Sequence, residues 1–257
     1  MSDFSSTVLS FVSGKGGVGK TVITSNIGKG LSLLGRKTVL IDLDFGLRNL
    51  DIALGVENNI VFDLSDVFSG KKSLYEVMVS CGDNLFFIPA SQAKKPEEVD
   101  FSILAEIIEK LRGDFDYILI DCPSSVGNAF YNAVSLSDRV CVVSNPDKAS
   151  LRDADKIFSL ISTRENCKPS LIINKIRLDL IKKNKTLNVD DILDILKVPL
   201  LGIIPFDDNI FLSAENGEMV VNQKNSLSGE CLCNISKRII GEIVPLKNFS
   251  KSKRFKF

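Results

Sequence analysis

The residues best suited to chemistry lie in a glycine-rich segment near the start of the chain, directly after an apolar run. Its pattern is GxxxxGK[ST], in which glycines let the backbone curl so that its N–H groups converge on phosphate oxygens. The lysine that ends the pattern reaches the β- and γ-phosphates, and the hydroxyl that follows binds Mg²⁺. The segment predicts a phosphate-binding loop made of Gly14, Lys15, Gly16, Gly17, Val18, Gly19, Lys20, Thr21 and Val22.

The same letters also contain a second pattern, GxGxxG, at Gly14, Gly16 and Gly19, and Asp42 follows about 20 residues later. That arrangement is typical of a loop that binds a dinucleotide, so a dinucleotide site is an alternative. A dinucleotide-binding turn makes no use of the Gly-Lys-Thr ending, however. The complete pattern therefore favours a nucleoside triphosphate.

Acidic residues follow two further apolar runs. Asp42 and Asp44 end the second of the predicted strands, and their i, i+2 spacing places both on one strand face, directed towards the phosphates. One of them could complete the Mg²⁺ shell while the other orients a water molecule; the alternative is that the pair only caps a turn. Asp121 ends the apolar run 117–121, which is typical of the Walker B acid that binds Mg²⁺ beside a phosphate loop.

The phosphate-binding loop carries a second lysine, Lys15, and GKGGVGKT resembles the deviant Walker A family of ATPases. This wider family includes plasmid-partition, flagellar-number and nitrogenase-iron proteins. The resemblance narrows to the MinD family, membrane-associated ATPases that position the bacterial division site, at the segment Asp-Phe-Gly-Leu-Arg-Asn-Leu-Asp, residues 44–51. It covers residues 8–246 and includes matching segments at 88–92, 143–157, 172–177, 202–208 and 214–221.

The resemblance implies that ATP and Mg²⁺ are the cofactors and that the ATP-bound chain forms a homodimer. Lys15 is implied to reach across this dimer to the partner's nucleotide, and Asp44 to orient the attacking water. The implied catalytic residues are Lys15, Lys20 and Asp44, and the implied Mg²⁺ residues are Thr21, Asp42 and Asp121.

The resemblance also implies residues around the base and on a docking surface. Asn174 is expected to read the adenine edge, while the backbone around Pro205 and Asp207 closes the base pocket. A helix is expected to dock a MinC-like inhibitor and a MinE-like or other activator; the alternative is an exposed charged face with no partner. The docking residues are Arg152, Asp153 and Asp155.

Two positions depart from the family pattern. Val22 stands where the family has a second threonine, so one hydroxyl contact to phosphate is missing while the backbone N–H remains. The Walker B segment continues with Ser124 and Ser125 where the family has alanine and glycine, and serine disfavours positive φ. We expect nucleotide binding to survive both changes, and fast hydrolysis to be the function that they affect.

The last residues, 246–257, contain basic and phenylalanine residues and no acidic ones. Such a segment suits an anionic membrane surface, and the family resemblance implies an amphipathic membrane-targeting helix there. A solvated tail and a nucleic-acid contact are the alternatives. The predicted membrane residues are Leu246, Phe249, Lys251, Lys253, Arg254, Phe255 and Phe257.

Alternating elements must position these residues. Apolar runs predict strands at 7–13, 37–42, 85–89, 117–121, 139–144, 170–174 and 200–205, and helices at 21–34, 101–112, 150–162, 190–197 and 227–242. Alternation on this scale predicts a single-domain, doubly wound, mostly parallel α/β sheet with helices on both faces, a P-loop NTPase of the deviant Walker A type. The expected organisation is an ATPase domain at 1–245 and a membrane-targeting tail at 246–257.

Composition excludes several classes of protein. The chain has no histidine, which removes Ser-His-Asp triads and His-ligated metal centres. Its 32 basic and 32 acidic residues give no net charge, so we expect no nucleic-acid partner. The 6 cysteines form no CxxC pair, and no signal peptide or membrane span is recognisable, so we expect a cytoplasmic protein that binds the inner membrane face reversibly.

Four other functions stay open at this point. A flagellar-number ATPase would usually carry Ala-Asn at Arg48-Asn49, and a partition ATPase would bind DNA. A non-hydrolysing scaffold would use ATP only to dimerise. A nicotinamide oxidoreductase would use the GxGxxG pattern.

Overall fold

A computed structural model of the protein describes residues 6–94, 98–163, 167–223, 225–247 and 249. The strands are β1 (Thr7–Val12), β2 (Thr38–Asp42), β3 (Val79–Ser80), β4 (Leu85–Ile88), β5 (Tyr117–Asp121), β6 (Arg139–Ser144), β7 (Lys168–Ile176) and β8 (Leu200–Pro205). They form an 8-stranded sheet in the order β3-β4-β2-β5-β1-β6-β7-β8. Only the short β3 runs antiparallel to its neighbour.

Helices connect these strands and cover both faces of the sheet. The α-helices among the described residues are α1 (Lys20–Leu33), α2 (Leu50–Leu54), α3 (Leu64–Phe68), α4 (Leu74–Val77), α5 (Leu104–Arg112), α6 (Asn128–Leu136), α7 (Lys148–Ser162), α8 (Leu178–Ile181), α9 (Val189–Leu196), α10 (Asp208–Glu215) and α11 (Leu227–Ile239).

The sheet is apolar on both faces, which explains the continuous apolar runs of its strands. Along β1, Val8 and Val12 belong to one buried cluster, while Leu9 and Phe11 belong to a second cluster. Because successive side chains of a strand point to opposite faces, these two clusters are the two sides of the sheet. The predicted fold class, a doubly wound, mostly parallel sheet covered by helices on both faces, is confirmed.

The predicted long elements are present, with ends that differ by a few residues. The helix expected at 101–112 begins with a 3₁₀ turn at Phe101–Ile103, and the last helix ends at Ile239 rather than at 242. The prediction missed β3 and the helices α2, α3, α4, α6, α8 and α10. Most of these elements have 2 to 5 residues, too few for a regular period to stand out. The helices α6 and α10 are as long as the predicted α5 and α9, but they carry large apolar side chains on their exposed side, Tyr131 in α6 and Phe211 and Leu212 in α10.

The strand order places the glycine-rich loop at the centre of the molecule. β1 lies between β5 and β6, and the chain crosses from one half of the sheet to the other between β5 and β6. In open parallel sheets ligands bind beyond the carboxyl ends of the strands, where the strand order reverses. The loop that follows β1 lies at that position.

Candidate nucleotide site

The turn from β1 into α1 forms the phosphate-binding loop, and its last glycine cannot be replaced. Gly19 has φ of 93°, a left-handed backbone conformation that other residues rarely adopt. A Cβ atom on Gly19 would also lie 2.5 Å from the side-chain nitrogen of Asn174. Backbone conformation and close packing therefore both require glycine immediately before Lys20.

Asp121, the predicted Walker B acid, binds three groups of α1. Its Oδ1 accepts a hydrogen bond from Lys20 Nζ at 2.7 Å, and its Oδ2 accepts one from Thr21 Oγ1 at 2.7 Å. The hydroxyl of Thr24 donates to Oδ1 at 3.1 Å. The fold therefore brings together Lys20, Thr21 and Asp121, the residues predicted to bind phosphate and Mg²⁺. It also adds Thr24, which the sequence pattern did not include.

Lys20 keeps its charge in this buried cluster. The residue is 6% exposed, and burial by itself lowers the pKa of an ammonium group. The carboxylate of Asp121, through its charge and its hydrogen bond, outweighs burial, so the pKa of Lys20 is raised. The site thus holds a permanent positive charge below the glycine-rich loop, where a phosphate group would lie.

The two aspartates after β2 differ in burial, and only Asp42 belongs to the strand, so a shared direction of Asp42 and Asp44 towards the phosphates stays a prediction. β2 ends at Asp42, which is fully buried, and its carboxylate accepts the N–H groups of Asp44 at 2.8 Å and Leu50 at 3.4 Å. Burial, followed by repulsion from Asp121, raises the pKa of Asp42 to about 8. Asp44 lies beyond the strand end, where the alternation of side chains no longer applies.

Asp42 therefore holds the segment 44–50 through backbone hydrogen bonds, and Asp44 is the aspartate that lines the cavity. Burial raises the pKa of Asp44, an effect that the charge of Lys20 only partly offsets. Asp42 lies beside Asp121 in register across β2 and β5. A part for Asp42 in the Mg²⁺ shell stays a prediction.

Two adjoining cavities meet at the loop, and both are lined by Gly19, Val22 and Ala214. The first, about 360 Å³, is called here the phosphate cavity; its lining includes residues 15–22, Asp44, Asn49 and Ser124. The second, about 330 Å³, is called the nucleoside cavity and is mostly apolar. Its lining includes Ile23, Asn174, Lys175, Ile204, Pro205, Phe206, Asp207, Ile210, Phe211 and Leu232.

The predicted base-pocket residues all line the nucleoside cavity. Asn174 is 5% exposed, and its Nδ2 donates to the carbonyl of Val18 at 2.7 Å. The Oδ1 of Asn174 is buried without a hydrogen-bond partner among the described residues, so it can accept from an exocyclic amine of a base. Asp207 begins α10 by accepting the N–H of Asn209 at 3.0 Å, which positions Pro205 and Phe206 at the cavity wall.

These donors and acceptors fit Mg²⁺ and an adenine nucleotide. Mg²⁺ prefers oxygen ligands, and the carboxylate of Asp121 and the hydroxyl of Thr21 lie within 2.7 Å of each other at the base of the phosphate cavity. The apolar walls and the orphaned oxygen of Asn174 suit a base with an amino group. The predicted dinucleotide alternative finds no support in this arrangement, because Lys20 and Thr21 both converge on Asp121.

Lys15 lies on the exposed side of the loop, away from the Asp121 cluster. Its side chain is close enough to Asp147, the first residue before α7, to affect the titration of that carboxylate. Burial raises the pKa of Asp147, but hydrogen bonds from Ser150 and the charge of Lys15 outweigh it, so the net pKa is lowered. This position suits the predicted reach towards a second molecule.

The predicted docking residues lie on α7, which packs directly on the phosphate-binding loop. A Cβ atom on Gly14 would lie 2.7 Å from Cβ of Asp153, so glycine is needed for this approach. Arg152 and Asp155 are exposed, while Asp153 is partly buried and pairs with Lys156 at 3.6 Å. The structure thus places the docking surface beside the loop, and its role in docking stays a prediction.

The sequence analysis missed several residues that contact the loop or the cavities. Thr24 lies one helical turn after Lys20, a spacing that could have revealed it. Phe206 and Phe211 line the nucleoside cavity although they are 48% and 65% exposed. Lys175 donates to the carbonyl of Gly17 at 2.8 Å, and no pattern in the sequence indicates that contact.

The described beginning of the tail is attached to the body of the protein. Arg238 of α11 donates to the carbonyls of Val244 at 2.8 Å and Pro245 at 2.9 Å, and Lys247 pairs with Glu230. Leu246 is 45% exposed, whereas Phe249 is partly buried against the apolar core. The other predicted membrane residues lie outside the described residues; they are Lys251, Lys253, Arg254, Phe255 and Phe257.

A search of the described helices finds none with the length and apolarity needed to cross a bilayer. The predicted attachment of the tail to a membrane surface, and the boundary placed at residue 245, therefore stay predictions.

Comparisons with known proteins show the family to which the chain belongs. A family model described as an AAA domain matches residues 6–173. The septum site-determining protein MinD of Synechocystis sp. is 39% identical over 245 residues, which cover 94% of this chain and 92% of that protein.

Solved structures of similar proteins have the same fold. MinD in the MinC:MinD cell division protein complex from Aquifex aeolicus superposes with a TM-score of 0.88 at 36% identity, covering 95% of this chain and 99% of that one. MinD complexed with Mg-ADP from Pyrococcus horikoshii has a TM-score of 0.82 at 27% identity, covering 91% and 96% of the two chains. The chain therefore belongs to the MinD family of P-loop ATPases, the septum site-determining proteins.

Proposed function

We propose that the protein is an ATPase that acts as a membrane-associated switch in the placement of the division septum. In this proposal ATP binding favours a homodimer, the dimer holds the membrane, and hydrolysis returns a weakly bound monomer. The observation that carries the ATPase part is the cluster of Lys20, Thr21 and Asp121 at a phosphate cavity that adjoins an apolar nucleoside cavity.

Each residue of the site has a part in this reaction. Lys20 and the loop N–H groups bind the β- and γ-phosphates, and Asn174 accepts a hydrogen bond from the adenine amine through its Oδ1. Thr21 and Asp121 would hold Mg²⁺, which when bound neutralises charge on the phosphate oxygens. Asp44, on the wall of the phosphate cavity, orients the water that attacks the γ-phosphate.

In a dimer, each copy would supply the positive charge of its Lys15 to the nucleotide of the other copy. Lys15 is exposed at the rim of the phosphate cavity, where it can reach the nucleotide of a second copy rather than its own. Turnover of the isolated chain is therefore slow, and partner and membrane binding stimulate it by stabilising the dimer. Val22 and Ser124 both line the phosphate cavity, and they are the departures from the family pattern that we expect to affect the rate of ATP hydrolysis.

The proposal extends to two protein partners. MinD of Aquifex aeolicus forms a complex with MinC, and this chain shares 36% of its sequence with that protein. We propose that a MinC-like inhibitor docks on α7 at Arg152, Asp153 and Asp155, and that a MinE-like activator uses the same surface. Because α7 packs on Gly14, a partner bound to α7 would contact a helix that itself touches the loop that holds the phosphates.

Membrane attachment is proposed to need two tails. Each basic residue contributes roughly 1 kcal/mol near an anionic surface, which leaves a single tail weakly bound. Two tails on one dimer gain about 10²–10⁴ in avidity. The nucleotide thereby controls membrane attachment without contacting the tail.

Co-sedimentation with anionic liposomes in ATP, in ADP and without nucleotide tests this proposal. We expect full-length protein to bind most tightly in ATP and to dissociate as salt rises. A chain truncated after Pro245 should bind ATP and dimerise, yet stay in the supernatant, and Phe255→Glu should do the same. Lys182→Glu, an exposed change directly after α8 and outside the tail, is the matched control and should sediment like the wild type.

Three outcomes would contradict parts of the proposal. Sedimentation of the truncated chain would place the membrane site elsewhere. Salt-sensitive DNA binding without liposome binding would favour a partition-type ATPase. Nucleotide-dependent dimerisation with no turnover, even with liposomes, would identify a non-hydrolysing scaffold.

A further inference from the structure

Two consecutive residues near the end of β7 hold the phosphate-binding loop at neighbouring carbonyl groups. Asn174 Nδ2 donates to the carbonyl of Val18 at 2.7 Å, and Lys175 Nζ donates to the carbonyl of Gly17 at 2.8 Å. These contacts join segments that lie 156 and 158 residues apart in sequence. The backbone of the loop at Gly17 and Val18 is thus held by contacts from β7 as well as by the conformations of its own glycines.

Planarity of the peptide bond gives these contacts a consequence for phosphate binding. In a trans peptide the carbonyl of one residue and the N–H of the next point to opposite sides. Holding the carbonyls of Gly17 and Val18 towards β7 therefore turns the N–H groups of Val18 and Gly19 away from β7. That side is the phosphate cavity, which Val18 and Gly19 both line.

The backbone of Lys175 is strained at the position from which its side chain contacts Gly17. Its φ is 56°, a left-handed conformation that residues with a Cβ atom adopt at an energetic cost. The pairing of β7 with β8 also shifts in register between Ile173 and Ile176, on either side of Asn174 and Lys175. Such irregularities redirect side chains and are frequent at functional sites.

We propose that Lys175 is a positioning residue for nucleotide binding. Its ammonium group holds the carbonyl of Gly17 so that the N–H of Val18 stays directed at the phosphates of a bound adenine nucleotide. This inference rests on the proposed ATP site, and it adds a residue outside the glycine-rich pattern. Lys175 acts on the loop and not on the reacting atoms, so its effect belongs to binding.

The affinities of Lys175→Met for ADP, ATP and adenosine, measured by titration calorimetry, test the proposal. The methionine keeps the length of the side chain and removes the donor. We expect ADP and ATP to bind about 3- to 10-fold more weakly, by equal factors, because one charged hydrogen bond to the loop is lost. Adenosine affinity should fall by a smaller factor than ADP affinity, because Lys175 lines the nucleoside cavity while its ammonium group binds the phosphate-binding loop, and KM for ATP should rise by more than kcat falls.

Further variants separate positioning from folding. Lys175→Arg keeps a cationic donor and should restore most of the ADP affinity. Lys175→Gly relieves the strained φ and removes the donor. It should bind ADP as weakly as Lys175→Met, yet unfold at a higher temperature than Lys175→Met. Lys182→Met, an exposed lysine at the end of α8, is the matched control and should bind ADP like the wild type.

Two results would overturn the proposal while leaving the ATP site intact. Wild-type ADP affinity in Lys175→Met, even with a lower unfolding temperature, would mean that the contact only supports the fold. A much larger loss for ATP than for ADP would mean that the ammonium group contacts the γ-phosphate itself. A wild-type protein that binds no adenine nucleotide would refute both this inference and the proposed function.

Discussion

The phosphate cavity and the nucleoside cavity adjoin at Gly19 but differ in how much of their lining comes from a single segment. The phosphate cavity takes about half of its lining from one continuous segment, residues 15–22, and the rest from Ser13 and from segments around 44–53, 124 and 214–215. The nucleoside cavity takes its lining from four segments far apart in sequence, around residues 19–23, 174–175, 204–214 and 232. Phosphate recognition therefore depends on backbone geometry and buried charge, whereas base recognition depends on how separate elements pack.

The two cavities also differ in what holds them. Below the phosphate cavity, Lys20 and Asp121 form a buried ion pair at 2.7 Å, with side chains that are 6% and 1% exposed. Around the nucleoside cavity, Phe206 and Phe211 are largely exposed. Since a buried charge pair is costly to break while an exposed ring is not, changes to the first cavity should have the larger effects.

Of these substitutions, Lys15→Ala should have the largest effect, and that effect should be on the ATPase rate. A positive charge supplied from a second subunit contributes on the order of 10³–10⁵ in rate, so dimer-dependent turnover should fall by at least about 10³-fold. Steady-state ATPase assays with liposomes measure this rate. The ADP affinity of the monomer should be unchanged; a loss of ADP affinity as severe as that of Lys20→Ala would place Lys15 in its own subunit's site.

Lys20→Ala should weaken ATP and ADP binding by about 100-fold, because it removes the buried charge that faces the phosphates. Adenosine, which has no phosphate, should bind as in the wild type. Thermal unfolding should also occur at a lower temperature, since Asp121 loses its charged partner while keeping the hydroxyls of Thr21 and Thr24. Wild-type ATP affinity in this variant would refute the assignment of the phosphate cavity.

Phe211→Ala should weaken adenosine binding as well as ATP and ADP binding, unlike Lys20→Ala, and its effect should be smaller. An aromatic contact contributes about 0.5–1.5 kcal/mol, so ATP, ADP and adenosine should all bind about 2- to 10-fold more weakly, by equal factors. Titration with the three ligands checks this equality. Tyr131→Ala, an exposed ring on α6 outside both cavities, is the control. A loss confined to ATP would show that Phe211 does not face the base.

Asp42→Asn should produce the smallest effect, one that depends on pH. The folded-state pKa of Asp42 is raised to about 8, above the unfolded value of about 3.9, so protonated Asp42 is the form that the fold favours. Its contribution to stability is complete below about pH 4 and is lost as pH rises towards 8.

The unfolding temperature of wild type relative to Asp42→Asn should therefore fall between pH 5 and pH 8.5, by a few degrees, in buffer without divalent metal. Taking the difference between the two proteins cancels the titration of the groups that do not interact with Asp42, and leaves that of Asp42 with its neighbours Lys20, Asp44 and Asp121. A difference that stays constant across this range would show that Asp42 titrates normally.

The long buried strands and the glycine-rich loop could be predicted because their determinants are local. Each strand covered on both faces is a continuous apolar run, and the carboxyl ends of those runs carry Asp42 and Asp121. The short helices α2, α3 and α8 could not be predicted, because 4 to 5 residues contain too few turns for a helical period to appear. The helix α10 is as long as the predicted α9, but its exposed Phe211 and Leu212 obscure the apolar face.

The aspartate pair shows where spacing stops being informative. The i, i+2 rule holds only inside a strand, and β2 ends at Asp42. Whether Asp44 or Asp42 reaches the cavity depends on the course of the loop that follows, and that course is fixed by hydrogen bonds from Asp44 and Leu50 to Asp42. No property of the two residues in the sequence distinguishes a buried loop anchor from a cavity residue.

By itself the sequence determined the fold class, the phosphate-binding loop and the family, because backbone curvature and strand burial depend on residues close together in the chain. The tertiary structure alone decided which groups meet across the sheet: Thr24 with Asp121, Lys175 with Gly17, and Gly14 with Asp153. It also decided the shape of the nucleoside cavity. These contacts join residues about 100 to 160 positions apart, and only the strand order brings such segments within reach of a hydrogen bond.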